Sequence, residues 1–294
     1  MAKHKKYPVR SKVLAVIAFL GVVLLIPQIS LAHPPTPPKS LRLYVLDCGK
    51  LRVDDPGPNY GFTKDQLVTT DLSVPCFLIV HPKGTLMWDT GVLPDSVFNS
   101  GPGPIVQGRA TVYKSLRSQL AEIGYTPGDI KYLAMSHYHW DHTANANDFA
   151  GATWIVEKND YDVMFTDPPP SKATIPSYFS SLKNNKPVIL TGNDYDVFGD
   201  GTVIIKSAPG HTEGHQVLFV KLAKTGPILL TGDLYHYPEE RTQGHVPKGE
   251  WNRDETAASR ASIEEFLKKT GAQLWIQHDF TANAKLRKSP QFYE

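Results

Sequence analysis

Five apolar runs in this chain each stop at a polar, metal-capable or acidic side chain, and that recurrence constrains the fold more than any other feature. They are "MWDTG" with Asp89, "SHYHWDH" at 136–142, "APGHTEGH" with His211 and His215, "LLTGDLYHY" with Asp233 and His236, and "WIQHD" with His278 and Asp279. One such junction means little. Several, each closing a strand-like run, place their polar residues at the edge of a core where a cleft can form and suggest that they converge on one site.

The stretches between the junctions predict the rest of the architecture. "LRLYVLDCG" and "PCFLIVHPKGTLMWDTG" read as strands, with a hairpin closed near "HPKG". "ATVYKSLRSQLAEIG" has helical apolar spacing with Gly124 as its stop. "IKYLAMS" is a strand, and "ATWIVEKNDYDVMF" a strand passing into a helix. "GTVIIKSAPG", "HQVLFVKLAKTGPILLTGD" and "AQLWIQHD" are strands, and "RDETAASRASIEEFLKKTG" is a helix with Gly271 after its end. That order predicts two mixed sheets packed together with helices outside, an α/β (α+β) chain forming one domain over 41–294. The stretch 167–186, with "DPPP" and few core-forming residues, reads as a surface excursion or lid.

The first 32 residues differ. A basic "MAKHKKYPVRSK", the 14-residue apolar run "VLAVIAFLGVVLLI" and a small-residue "SLA" form the three-part layout of a secretory signal peptide, cleaved after Ala32. The alternative is an uncleaved anchor, for which the run falls short of the roughly 20 residues of a span. "HPPTPPKS" (33–40) is a Pro-rich linker. The expected location is periplasmic or secreted, with no stable membrane span after cleavage. The leader holds five of the 31 Lys and Arg and no Asp or Glu, so the remainder carries 26 basic against 29 acidic residues, a formal charge of −3. No basic cluster is left to suggest a nucleic-acid partner. Cys48 and Cys76 lie in strand-like stretches; they could pair in an oxidising compartment or stay as buried thiols.

Within "SHYHWDH", His137 and His139 are two apart, so an extended segment points both the same way. Asp141 and His142 follow a bend and can face a second centre. One cluster cannot fill two coordination shells, so further ligands must come from elsewhere, with His211, Asp233 and His278 as candidates. Seven nitrogen and oxygen ligands without thiolate suit two zinc ions, with iron, manganese or cobalt as substitutes.

"SHYHWDH", "APGHTEGH", "LLTGD" and "WIQHD", in that order, resemble the metallo-β-lactamase superfamily's HxHxDH…H…D…H pattern, over about residues 41–282. "DTG" (89–91) resembles that fold's early Asp-containing motif. The resemblance implies an αββα four-layer sandwich with the site at one edge of the paired sheets. His137, His139 and His211 would bind the first metal. Asp141, His142 and His278 would bind the second, and Asp233 would bridge them. His215 and Asp279 flank ligands and read as supporting or structural residues.

The layout is similar to the N-acyl homoserine lactone lactonases, in which water on the metals attacks a ring ester carbonyl. The implied partner is a small-molecule lactone or ester; oligomeric state is left open, a homodimer included. That family's Tyr three residues after the bridging Asp is His236 here, with Tyr235 and Tyr237 beside it. Either a neighbouring Tyr or His236 supplies the group that meets the substrate, or the substrate differs, so Asp141, His236, Tyr235 and Tyr237 are the catalytic candidates. The alternatives are a thioesterase of the glyoxalase II type, whose C-terminal helical region the 16 residues after His278 cannot supply, and another hydrolase of this fold, including a β-lactamase.

Overall fold

The computed structural model describes residues 1–5, 8, 36–100 and 103–294. The apolar run of the expected leader, its cleavage point and the first residues of the Pro-rich linker lie outside the described residues. Among the described residues no helix is long and apolar enough to cross a membrane.

Two long strands, β1 (Arg42–Leu51) and β2 (Leu72–His81), pair antiparallel, and β2 continues through a tight hairpin into β3 (Gly84–Trp88). Between β1 and β2 a single helical turn, α1 (Gly57–Tyr60), projects from the sheet. Two short strands follow, β4 (Ile105–Gln107) and β5 (Ala110–Val112), and then helix α2 (Leu116–Glu122). The helix is shorter than its apolar spacing suggests, because Ala110 and Thr111 pair with Leu51 and Lys50 instead. Backbone hydrogen bonding to an existing strand outweighs the helical preference of three residues, two of them β-branched. Next come β6 (Tyr132–Ala134), the turn α3 (Trp140–Thr143), β7 (Thr153–Glu157), α4 (Lys158–Met164) and β8 (Val188–Leu190). These strands form one eight-stranded sheet in the order β4-β5-β1-β2-β3-β6-β7-β8.

The second sheet holds β9 (Tyr195–Asp196), β10 (Val203–Ser207), β11 (Gln216–Leu222), β12 (Gly226–Leu230) and β13 (Gln273–Trp275), in the order β13-β12-β11-β10-β9. Helix α5 (Pro238–Gln243) and the 18-residue α6 (Arg253–Thr270) lie between β12 and β13, and α7 (Phe280–Lys285) follows. The Asn252 side chain caps α6 by accepting from the backbone of Asp254 and Glu255.

Three apolar clusters give the layer order. Leu43, Val45, Phe77, Ile79 and Trp88 of the first sheet pack against Val203, Ile205, Leu218 and Leu230 of the second. The first sheet's outer face takes Leu116 and Leu120 of α2 and Met164 of α4, and the second's takes Ile263 and Leu267 of α6. The result is the expected helix–sheet–sheet–helix sandwich. Cys48 and Cys76, on the paired β1 and β2, are joined in a disulfide.

Candidate metal centre

Strand direction gathers the polar junctions on one edge. β3 and β6 run parallel, so Asp89 and the segment 136–142 leave the first sheet on the same side. β12 and β13 are parallel as well, and β10 is parallel to β12 because each is antiparallel to β11. His211, Asp233 and His278 therefore leave the second sheet at one edge. There they meet the first sheet's loops.

Asp233 stands at the centre, buried, with its two oxygens facing different neighbours. Oδ2 lies 3.7 Å from His137 Nε2, 3.3 Å from His211 Nε2 and 3.2 Å from His236 Nε2. Oδ1 lies 3.0 Å from both His142 Nε2 and His278 Nε2. His139 joins the first group through Nδ1, 3.0 Å from His211 Nε2, and Asp141 joins the second, 3.7 Å from His278 Nε2. The ligand atoms of His137, His139, His211 and Asp233 lie within 4.8 Å of one another, as do those of Asp141, His142 and His278. A third grouping, His211, His236 and Glu250, shares His211 with the first and so competes with it.

The anchoring of each ring decides which nitrogen is free. His278 Nδ1 is 2.7 Å from the Ser73 carbonyl, which can only accept, so this nitrogen carries the proton and Nε2 carries the lone pair. His142 Nδ1 donates in the same way to Asp89 Oδ2 at 2.9 Å, and His137 Nδ1 contacts Ser136 Oγ at 3.1 Å. His137 Nε2, His142 Nε2 and Asp233 Oδ1 are fully buried, yet none makes a hydrogen bond. Buried polar atoms are rarely left so. Lone pairs aimed at a common point fit a bound cation, and an all-nitrogen-and-oxygen set suits a divalent one. Burial holds His137 and His139 neutral, well below the usual imidazole range and in the form that ligates. Burial would raise the Asp233 carboxyl, but the imidazoles around it, His278 foremost, outweigh that and keep it well below the carboxylate range.

Around the ligand candidates stand supporting residues, of which Ser73, Gln277 and Glu250 carry no signal in the sequence. Asp89 has the one positive φ outside glycine among the described residues, +58°, and is held there by its own side chain. Its oxygens accept from Ser136 N at 2.6 Å and Gln277 Nε2 at 2.7 Å, besides His142. Gln277 Oε1 in turn accepts from Gly232 N at 2.9 Å. Gly232 has φ +51° and no room for a side chain, since a Cβ would meet Ser136 Cβ at 2.6 Å and His215 Nε2 at 2.7 Å. His215 is a support, as expected, bonding Asp233's backbone. Asp279 caps α7 through Ala282 N.

Among the four catalytic candidates, Asp141 and His236 line the cavity over the cluster, about 290 Å³ in volume. The tyrosines beside His236 do not. Tyr235 donates to Glu264 Oε1 at 3.2 Å beneath Arg260, and Tyr237 donates to the Thr70 carbonyl at 2.9 Å. The stretch is extended at both, and alternate side chains of an extended segment leave on opposite sides, so His236 is directed inward and its neighbours outward. Each tyrosine hydroxyl, offered as one alternative for meeting the substrate, is bonded outside this cavity. Ser171, Lys172 and Ala173, from the stretch read as an excursion or lid, line the cavity too. So does Tyr60, whose burial keeps its phenol well above the usual range.

A profile described as the Metallo-beta-lactamase superfamily matches residues 69–271. The chain belongs to the metallo-β-lactamase superfamily. It is 32% identical over 279 residues to N-acyl homoserine lactonase AttM of Azorhizobium caulinodans, covering 86% of this chain and 99% of that protein. It is 28% identical to N-acyl homoserine lactonase AiiA of Bacillus thuringiensis subsp. kurstaki, covering 85% and 98%. A crystal structure of a quorum-quenching N-acyl homoserine lactone lactonase superposes with TM-score 0.71 at 24% identity, covering 86% and 98%. The dizinc quorum-quenching lactonase AidC does so with TM-score 0.62 at 20%, covering 86% and 94%. At these identities the superpositions speak for the fold alone.

Proposed function

We propose that this chain is a metal-dependent hydrolase that opens the lactone ring of N-acyl homoserine lactones, with two zinc ions as its cofactor. The observation that carries the reading is the split of Asp233, one oxygen toward His137 and His211 and the other toward His142 and His278, in a chain aligned along nearly the whole length of named lactonases.

Two divalent ions held there would supply an acidified water and polarise the ester carbonyl. The chain's residues do the rest. Ser73, Ser136 and Asp89 set the imidazoles' tautomers and hold their ring planes. His236, lying between Asp233 Oδ2 and Glu240 Oε1, helps orient the carboxylate that would be shared by the two ions. Asp141, at the cavity wall, passes a proton to the ring oxygen as its bond to the acyl carbon breaks. The relatives' names favour this reading over the thioesterase and β-lactamase alternatives.

The leader-like N-terminus and the disulfide together support export to an oxidising compartment, periplasmic or extracellular. A hydrolysis panel of N-acyl homoserine lactones, thioesters, β-lactams and phosphodiesters on zinc-loaded protein tests the activity. Turnover confined to another class would overturn it. Cell fractionation with N-terminal sequencing tests export, and a full-length cytosolic protein would refute it.

A further inference from the structure

One hydroxyl in the cavity wall has no role in the ligand set. Tyr60 closes α1, with its ring edge-on to His236 at a centroid distance of 4.9 Å and to Tyr237 at 5.1 Å. It lines the same cavity as Asp141, Asp233 and His278 and is only 8% exposed. Among the described residues its hydroxyl makes no hydrogen bond, whereas those of Tyr138, Tyr235 and Tyr237 bond to Glu213, Glu264 and Thr70. The hydroxyl is not one of the fully buried polar atoms that lack a partner, so it stays in contact with solvent, and the cavity that Tyr60 lines offers it a place to meet a substrate oxygen.

The placement of this ring is well determined. The Asn59 carbonyl accepts from Lys248 N at 2.9 Å and Gly249 N at 3.0 Å, tying α1 to the segment that brings Glu250 to His211. The Tyr60 carbonyl accepts from His245 Nε2 at 2.7 Å. Gly61 turns the chain at once with φ +79°, and a Cβ there would meet His245 Nε2 at 2.8 Å. His236 cannot supply a competing donor, because its ring nitrogens face Asp233 at 3.2 Å and Glu240 at 3.3 Å.

We propose that Tyr60 is a catalytic residue for ester hydrolysis, its hydroxyl donating a hydrogen bond to the ester oxygen that gains charge as the ring opens. This rests on the hydrolase reading above. Water adds to the acyl carbon, the bond from that carbon to the ring oxygen breaks, and one water proton ends on the ring oxygen. The other leaves the new carboxylic acid, and Tyr60 keeps its own proton throughout.

The test compares zinc-loaded wild-type protein with Tyr60→Phe on a lactone substrate. The expected result is a kcat lower by about 100-fold, in the range of lost oxyanion donors. KM should stay within about threefold, with metal content and melting temperature unchanged. A kcat within threefold of wild type would overturn the assignment, as would a loss of activity accompanied by loss of metal or of thermal stability. A wild-type protein inactive on every lactone and ester would instead defeat the hydrolase reading itself, and this assignment with it.

Discussion

The His215 ring joins two backbones: Nε2 accepts the N–H of Asp233 at 2.9 Å, and Nδ1 lies 3.0 Å from the Ala208 carbonyl. Burial lowers its pKa to about 4, so at neutral pH the ring is uncharged and Nε2 remains an acceptor. Replacing it with Ala orphans the Asp233 N–H and frees the central carboxylate to rotate. Zinc affinity of His215→Ala is expected to fall 10- to 100-fold, read by competition with a chelator. Unchanged affinity would show that the carboxylate is held without it.

Stripping divalent ions should leave a folded but less stable protein. At saturating zinc, linkage supplies about 3 kcal/mol or more, on the order of 5–10 °C in melting temperature for a chain of this size. Calorimetry before and after dialysis against chelator measures it, and the loss should reverse on adding zinc. An identical melting curve would count against a bound ion.

Asp141→Asn removes a carboxylate from the second group while keeping its shape. Turnover should fall by at least about 10²-fold with circular dichroism unchanged. Full activity would take Asp141 out of the reaction.

Asp160 gives a pH-dependent signature. It is buried beneath the His211 loop, accepting from Gly214 N at 2.6 Å and Thr212 Oγ1 at 3.1 Å, and burial raises its pKa from 3.8 to about 8. Its folded-state pKa lies above the unfolded one, so its contribution is complete below about pH 4 and is lost as pH rises toward 8. Asp160→Asn mimics the protonated form. The melting temperature of wild type should therefore drop relative to the variant between pH 4 and 8, and the gap should stay constant above that. Parallel curves across the window would refute the shift.

The Cys48–Cys76 bond closes a loop of 28 residues between adjacent strands. Chain-entropy arguments assign such a loop roughly 3–4 kcal/mol. The double Cys→Ala variant should lose most of that in urea unfolding, and a loss under 1 kcal/mol would mean that the strand pairing already confines the chain.

The seven ligand candidates could be read from sequence because each sits directly after an apolar strand, where position along the chain nearly fixes position in space. Four of them share a seven-residue turn. Their supports could not be read so easily. Ser73, Gln277 and Glu250 act through contacts to His278, Asp89 and His211, each far away in the chain, and such contacts depend on how two sheets and their loops dock. Asp89 was visible as a strand-end acid, but its left-handed backbone and its bond to His142 were not. Tyr235 and Tyr237 show an alternation that reading by proximity overlooked. The shortened α2 shows tertiary pairing prevailing over local spacing.

The chain divides the cavity by origin. Its floor comes from strand ends locked into two sheets, whereas Arg109, Lys172 and Gly249 reach its walls from connections between elements. Connections accept insertions and substitutions at little cost to the core. A lineage with this sandwich can therefore exchange the shape of its entrance while inheriting its ion-binding floor intact, and a designer can draw on the same freedom by diversifying residues 171–173 alone.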